Sequence, residues 1–267
     1  RQKATECKFN SWKLAIIYFR LKIMDFSTTE LILVSLIFMW AGFVRTGLGF
    51  GGAALGLPLM LLIGASPVYW LPVIGIHLLF FSSLTLYKSI KKVDWAYLKQ
   101  SLIWIIPPTL VGVFGLIALP DKVMIIFVYS ITIFYAVIWV FNQKITSHQP
   151  WVDKFLLILG GYVAGTSLTG APLIVAVYMR YVAKEYLRNT LFVLWLILVG
   201  IKMSTFVAFG VVIDWQLSLL LIPVATIGHL IGLKLHDKII QNDALFKRWV
   251  GAALLLISSF GLLKVIL

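Results

Sequence analysis

Residues 31–63 read LILVSLIFMWAGFVRTGLGFGGAALGLPLMLLI, a continuous apolar run with one cation, Arg45, and no acid. As one straight α-helix the run would measure about 50 Å at 1.5 Å per residue. A bilayer's hydrocarbon core is only about 30 Å thick. The run also contains Gly47-Leu48-Gly49-Phe50-Gly51-Gly52, where glycine frees the backbone to leave the helix. It is therefore read as two helical pieces around a break, and irregular backbone at membrane depth survives only where protein surrounds it or it lines a cavity.

The rest of the chain supports a membrane reading. Of 267 residues, 61% are hydrophobic and 12% charged, and the mean hydropathy is +1.00. Soluble domains hold roughly 45–50% apolar and about 25% charged residues, so a fold of this size needs lipid to cover its apolar surface. The net charge of +13 comes in short clusters between apolar runs, as loop charges do in membrane proteins. A nucleic-acid binder would gather them on one face with stacking aromatics, so nucleic acid is not an expected partner. Trp70, Trp95, Trp151, Trp215 and Trp249 fall at segment ends, where interfacial rings settle. Cys7 is the one cysteine, which leaves no disulfide or thiolate metal site. Residues 1–23 are polar and basic and are read as an N-terminal extension ahead of Met24-Asp25-Phe26-Ser27-Thr28-Thr29-Glu30.

Apolar segments recur near 31–63, 68–87, 100–118, 123–141, 155–179, 189–210, 216–233 and 249–266. The two halves, 24–145 and 146–267, resemble each other. An offset of 119 puts Gly42-Phe43-Val44 on Gly161-Tyr162-Val163, Gly51 on Gly170 and Met60 on Met179. An offset of 120 puts Val93-Asp94-Trp95 on Ile213-Asp214-Trp215 and Gly112 on Gly232, and 122 puts Asp121 on Asp243. If the broken segments cross once, the loop cations divide 7 to 8 between the two sides, against the positive-inside rule. If each folds back as a hairpin, loops 88–99, 142–154, 180–188 and 234–248 share one side with 13 Lys and Arg, and the other side keeps Lys122 and Lys264. The expectation is an all-α polytopic protein of two inverted repeats. Each repeat has a glycine-broken, re-entrant first segment and three spanning helices, a plan common among secondary transporters.

The first break formally contains G-x-G-x-x-G. The dinucleotide reading needs a preceding strand and an acid about 20 residues on, but position 72 is proline and the flanks are apolar. The membrane reading is an unwound helix whose N–H groups and positive end hold an anion. Its residues are Arg45, Thr46, Gly47, Gly49, Gly51 and Gly52. The second break, Gly165-Thr166-Ser167-Leu168-Thr169-Gly170-Ala171-Pro172, offers Thr166, Ser167, Thr169 and Gly170. Its hydroxyls either satisfy freed carbonyls or donate to an oxyanion. The pairs Gly52/Gly56, Gly161/Gly165 and Gly228/Gly232 have the spacing of close helix packing. Lys202 lies mid-segment, and intramembrane cations carry a functional expectation. His77 and His229 are read as helix–helix hydrogen-bonding groups. All ten acids lie in loops or at segment ends, so no carboxylate pair serves acid–base chemistry at depth. No catalytic residue, metal site or cofactor is expected. Buried cations without buried acids point to an anionic substrate.

These residues resemble the sulfite exporter TauE/SafE family. Gly42-x4-Gly47-x-Gly49-x-Gly51-Gly52-x5-Pro58 matches its glycine-rich break and proline, and Gly161-x3-Gly165-x4-Gly170-x-Pro172 is a degraded second copy. Gly228-His229-x2-Gly232-x3-His236-Asp237-Lys238-Ile239 and Phe246-Lys247-Arg248 also look like this family. The resemblance covers about residues 30–266 and departs at Thr166-Ser167-Leu168-Thr169, where more glycine would stand. It implies a carrier in the bacterial cytoplasmic membrane that moves small anions such as sulfite or sulfonates, usually outward. Its partners would be the anion, the lipid bilayer and, as one option, a second copy in a homodimer. A passive anion channel and a non-transporting membrane assembly protein are the alternatives.

Overall fold

The computed structural model describes residues 26–48, 52–87, 89–143, 149–241 and 243–267. The 1–23 extension, and Gly49 and Gly51 of the first break, lie outside the described residues. The described chain forms ten α-helices and no strand: α1 Thr28–Leu48, α2 Gly52–Ile63, α3 Pro67–Leu86, α4 Trp95–Ala118, α5 Asp121–Val140, α6 Pro150–Ser167, α7 Ala171–Tyr181, α8 Lys184–Ala208, α9 Trp215–Gln241 and α10 Asp243–Ile266. Seven of these are long and apolar enough to cross a membrane, whereas α2 and α7 are shorter apolar helices. Large apolar side chains such as Leu36, Phe114, Leu219, Leu256 and Phe260 are exposed on the outside, as a lipid-facing surface requires. The chain is a multi-pass membrane protein.

Helix starts follow local chemistry. Ser66 accepts from the Tyr69 N–H ahead of Pro67, and Asp94 accepts from the Tyr97 N–H. Asp214 accepts from the Leu217 N–H in the same way, so the two Asp-Trp pairs 120 residues apart begin α4 and α9 alike. Asp214 also accepts from the Tyr69 hydroxyl at 3.0 Å, tying the starts of α3 and α9 together at one end of the bundle. At the other end Asp94 N–H donates to Thr190 and Ser89 donates to Asn189, which joins the α3–α4 loop to the start of α8.

Both broken segments fold back on themselves. A Cβ built on Gly52 would meet Ala41 and Arg45, and one on Gly56 would meet Ala41 and Ile37, so α2 runs antiparallel to α1. In α6–α7 a Cβ on Gly170 would meet Gly160 and Ala164, and one on Gly160 would meet Ile174. The base of this second hairpin is closed by Arg180, 2.5 Å from Asp153, and by the Tyr181 hydroxyl at 2.6 Å from the same carboxylate.

The main cross-contacts are α1 with α9, α4 with α6, α5 with α10 and α3 with α8. Glycine makes the first two possible. A Cβ on Gly232 would strike Phe43 O and Gly47 N, and one on Gly112 would strike Tyr162 O and Thr166 N, the atoms 119 residues further on. Gly42 approaches Ala225 O as Gly161 approaches Ile105 O. Any side chain at these crossings would push the backbones apart.

Two sequence expectations change. Trp70 is not an interfacial ring: it is fully buried, packs on Phe26 and Tyr69, and donates from Nε1 to Gly64 O at 2.7 Å. The helices also extend past the apolar runs, from Trp95, Lys184 and Pro150 and to Gln241, because polar ends remain helical where interface or loop receives them.

Candidate functional site

Two small cavities lie where the hairpins meet the spanning helices, and they share Arg45, Gly52, Ala53 and Leu78. The first, of about 20 Å³, adds Phe38, Met60, Ile74, His77 and Ala225. The second, of about 30 Å³, adds Ala164, Leu168, Ala171, Trp195, Leu198 and Val199. Both breaks therefore reach one place. Gly52 opens α2 and Ala171 opens α7, so the positive ends of two half-helices border the second cavity. The α7 end has no side-chain cap; Pro172 in its first turn carries no N–H, and the Ile174 N–H donates to Gly170 O at 3.3 Å. Leu78 and Leu198, 120 residues apart, face it from α3 and α8.

Arg45 supplies the charge. Its side chain is buried, Nη1 lies 3.5 Å from His77 O, and the guanidinium sits 4.4 Å from the Phe81 ring centre. Nη2 is buried with no hydrogen-bond partner. Among the described residues it has no carboxylate partner. A guanidinium held without an anion at membrane depth is costly, and its free edge suits an oxyanion. Lys202 is 1% exposed and reaches Ala164 O at 3.4 Å, with the Phe206 ring 5.8 Å away. It stands one turn beyond Leu198 and Val199 and braces the second break from α8 rather than lining the cavity.

The other predicted residues are arranged differently. Thr46 Oγ1 is 2.6 Å from His229 Nδ1, and Gly47 O is 2.8 Å from His236 Nδ1, so both serve the α1–α9 crossing. Thr166 donates to Tyr162 O and Val163 O, Ser167 donates to Val163 O, and Thr169 pairs with Ser167 at 2.6 Å. These hydroxyls satisfy the carbonyls at the end of α6. Leu168 closes that helix in the left-handed conformation at φ 58°. Gly170 lets α7 pack against α6. Sequence reasoning missed His77 and Phe81 as cavity neighbours of Arg45. They lie one turn apart on α3, and only the α1–α3 packing brings them to Arg45. Leu78 and Leu198 were discoverable, since the repeat offset already pairs them.

Each cavity has room for no more than a water molecule or two. A polyatomic anion would fit only if the surrounding helices moved apart.

The family model described as sulfite exporter TauE/SafE matches residues 34–260. No curated protein and no solved structure matches the chain.

Proposed function

The chain belongs to the sulfite exporter TauE/SafE family, and from that premise we propose that it is a secondary transporter that exports a small sulfur-containing anion, sulfite or a sulfonate, across the bacterial cytoplasmic membrane. The observation that carries this reading is the meeting of the unpaired Arg45 guanidinium with the N-terminal ends of α2 and α7 around one cavity. Three positive elements with no carboxylate in the cavity linings select against cations and for an oxyanion.

The cycle follows from the hairpins. The two halves are inverted repeats: equivalent glycines make equivalent crossings, and α1–α9 and α4–α6 are exchanged counterparts. The anion binds between the breaks, Lys202 holds the second break in register through Ala164 O, and the α1–α2 and α6–α7 hairpins rock to expose the site to each side in turn. The basic loops face the cytoplasm. The test is uptake of radiolabelled sulfite and alkyl sulfonates into proteoliposomes holding the purified protein. Saturable flux is expected, with at least a tenfold loss in Lys202→Ala, since braced geometry about a site is commonly worth over ~1.4 kcal/mol. No flux of any anion would refute the reading.

A further inference from the structure

The imidazole of His77 is buried, and its two nitrogens face different surroundings. Nδ1 lies 2.8 Å from the Val73 carbonyl, one turn back in α3. A carbonyl only accepts, so in the neutral ring the proton sits on Nδ1 and Nε2 is an acceptor. Nε2 is buried and has no hydrogen-bond partner. Nε2 is therefore the position open to a second proton.

Burial opposes a second proton on the ring, and so does Arg45, which lines the same cavity. Two cations in one small buried cavity repel strongly. An anion seated on the free Arg45 Nη2 removes that repulsion. We infer that His77 is the proton carrier of the transport cycle: anion and proton enter the cavity together, the proton passing from solvent to Nε2. No covalent bond other than N–H forms. The loaded cavity then keeps the net charge it had when empty, because the proton offsets a monoanion, and this lowers the cost of moving the site through a low-dielectric region. The inference rests on the anion site proposed above.

Among the described residues lining this cavity, His77 and Arg45 are the titratable ones. From α1 the facing charged group is Arg45, and α2 contributes Gly52, Ala53 and Met60 to the lining, none of which titrates. From α9 the titratable group is His229, which is across the Phe81 ring and bonded to Thr46. From α8 it is Lys202, directed at Ala164 O. Linkage makes the effect reciprocal: an anion that draws a proton in must bind more tightly as protons become available.

The experiment is calorimetric titration of the purified protein with ethanesulfonate and with thiosulfate, whose own protonation lies far below neutral pH. Each titration is repeated in two buffers of different ionisation enthalpy, which reads the protons taken up per anion bound. The wild type should take up as much as one proton per anion in a window below roughly pH 6.5, the ordinary imidazole value, and its affinity should strengthen by up to about tenfold per unit fall in pH there. His77→Gln should still bind and take up none. Wild-type binding without proton uptake and with a flat pH profile overturns the inference, as does equal uptake by His77→Gln. If His77→Gln does not fold, the wild-type uptake and pH slope decide alone. Binding of neither probe refutes the anion site itself and takes the inference with it.

Discussion

Arg45 and Lys202 are both buried cations, and each stands where the other half of the chain has a neutral residue. The offset of 119 places Ala164 opposite Arg45, and the offset of 120 places Ser82 opposite Lys202. The charge of the site is thus a departure from the repeat rather than a property of it. Arg45 is the more exposed to a ligand, with one nitrogen lacking a partner. Such a group destabilises the resting protein, and the proposed function gives it an anion to bind. Arg45→Gln should therefore raise thermal stability in detergent while weakening anion binding by about 1.5–3 kcal/mol, roughly 10- to 150-fold in Kd. A variant that loses stability and keeps its affinity would make Arg45 structural. The sequence flagged Arg45 and Lys202 because charge inside an apolar run is visible in one dimension. It could not show that Thr46 turns to His229, or that Thr166 and Ser167 bond their own helix, since those outcomes depend on which face each residue presents after the helices cross.

At the scale of elements, the two closest crossings rest on glycine. Gly42, Gly228 and Gly232 bring α1 against α9, and Gly112, Gly161 and Gly165 bring α4 against α6. Without a hydrophobic drive between helices in lipid, such backbone proximity supplies much of the association. A Cβ at Gly228 would occupy the space of Met39 O. Gly228→Ala should cost about 1–3 kcal/mol of stability through overpacking, measured as a lowered Tm in detergent, whereas Gly200→Ala, where a Cβ meets open space, should be neutral or better. Equal effects at the two positions would argue against the crossing. The hairpins differ at their bases. Asp153, Arg180 and Tyr181 close the second, while the offset of 119 gives the first Val34 and Leu61, both buried and apolar. The breaks and four-residue glycine spacings were legible because glycine and proline act locally. The burial of Trp70 was not, because a ring at a helix end looks the same in sequence whether lipid headgroups or Phe26 and Tyr69 receive it.

For the whole molecule, folding each break back on itself leaves three spanning helices in each half, and the proposed reading has the halves enter the membrane from opposite sides. The charge asymmetry between loops favours this, since only the hairpin count gathers 13 cations on one side. Single cysteines at Lys91 and Lys184 should react with an impermeant thiol reagent from the same side, and one at Ser66 from the opposite side. Labelling of Lys91 and Lys184 from different sides would contradict the hairpins. The proposed cycle has this bundle alternate around a closed site rather than hold a continuous pore. The most direct measurement is counterflow in proteoliposomes preloaded with unlabelled sulfite or ethanesulfonate. The account predicts transient accumulation of external labelled anion above its equilibrium level, saturating with concentration and lost in Arg45→Gln. Flux that never exceeds equilibrium and rises linearly with concentration would contradict it and make the protein a channel.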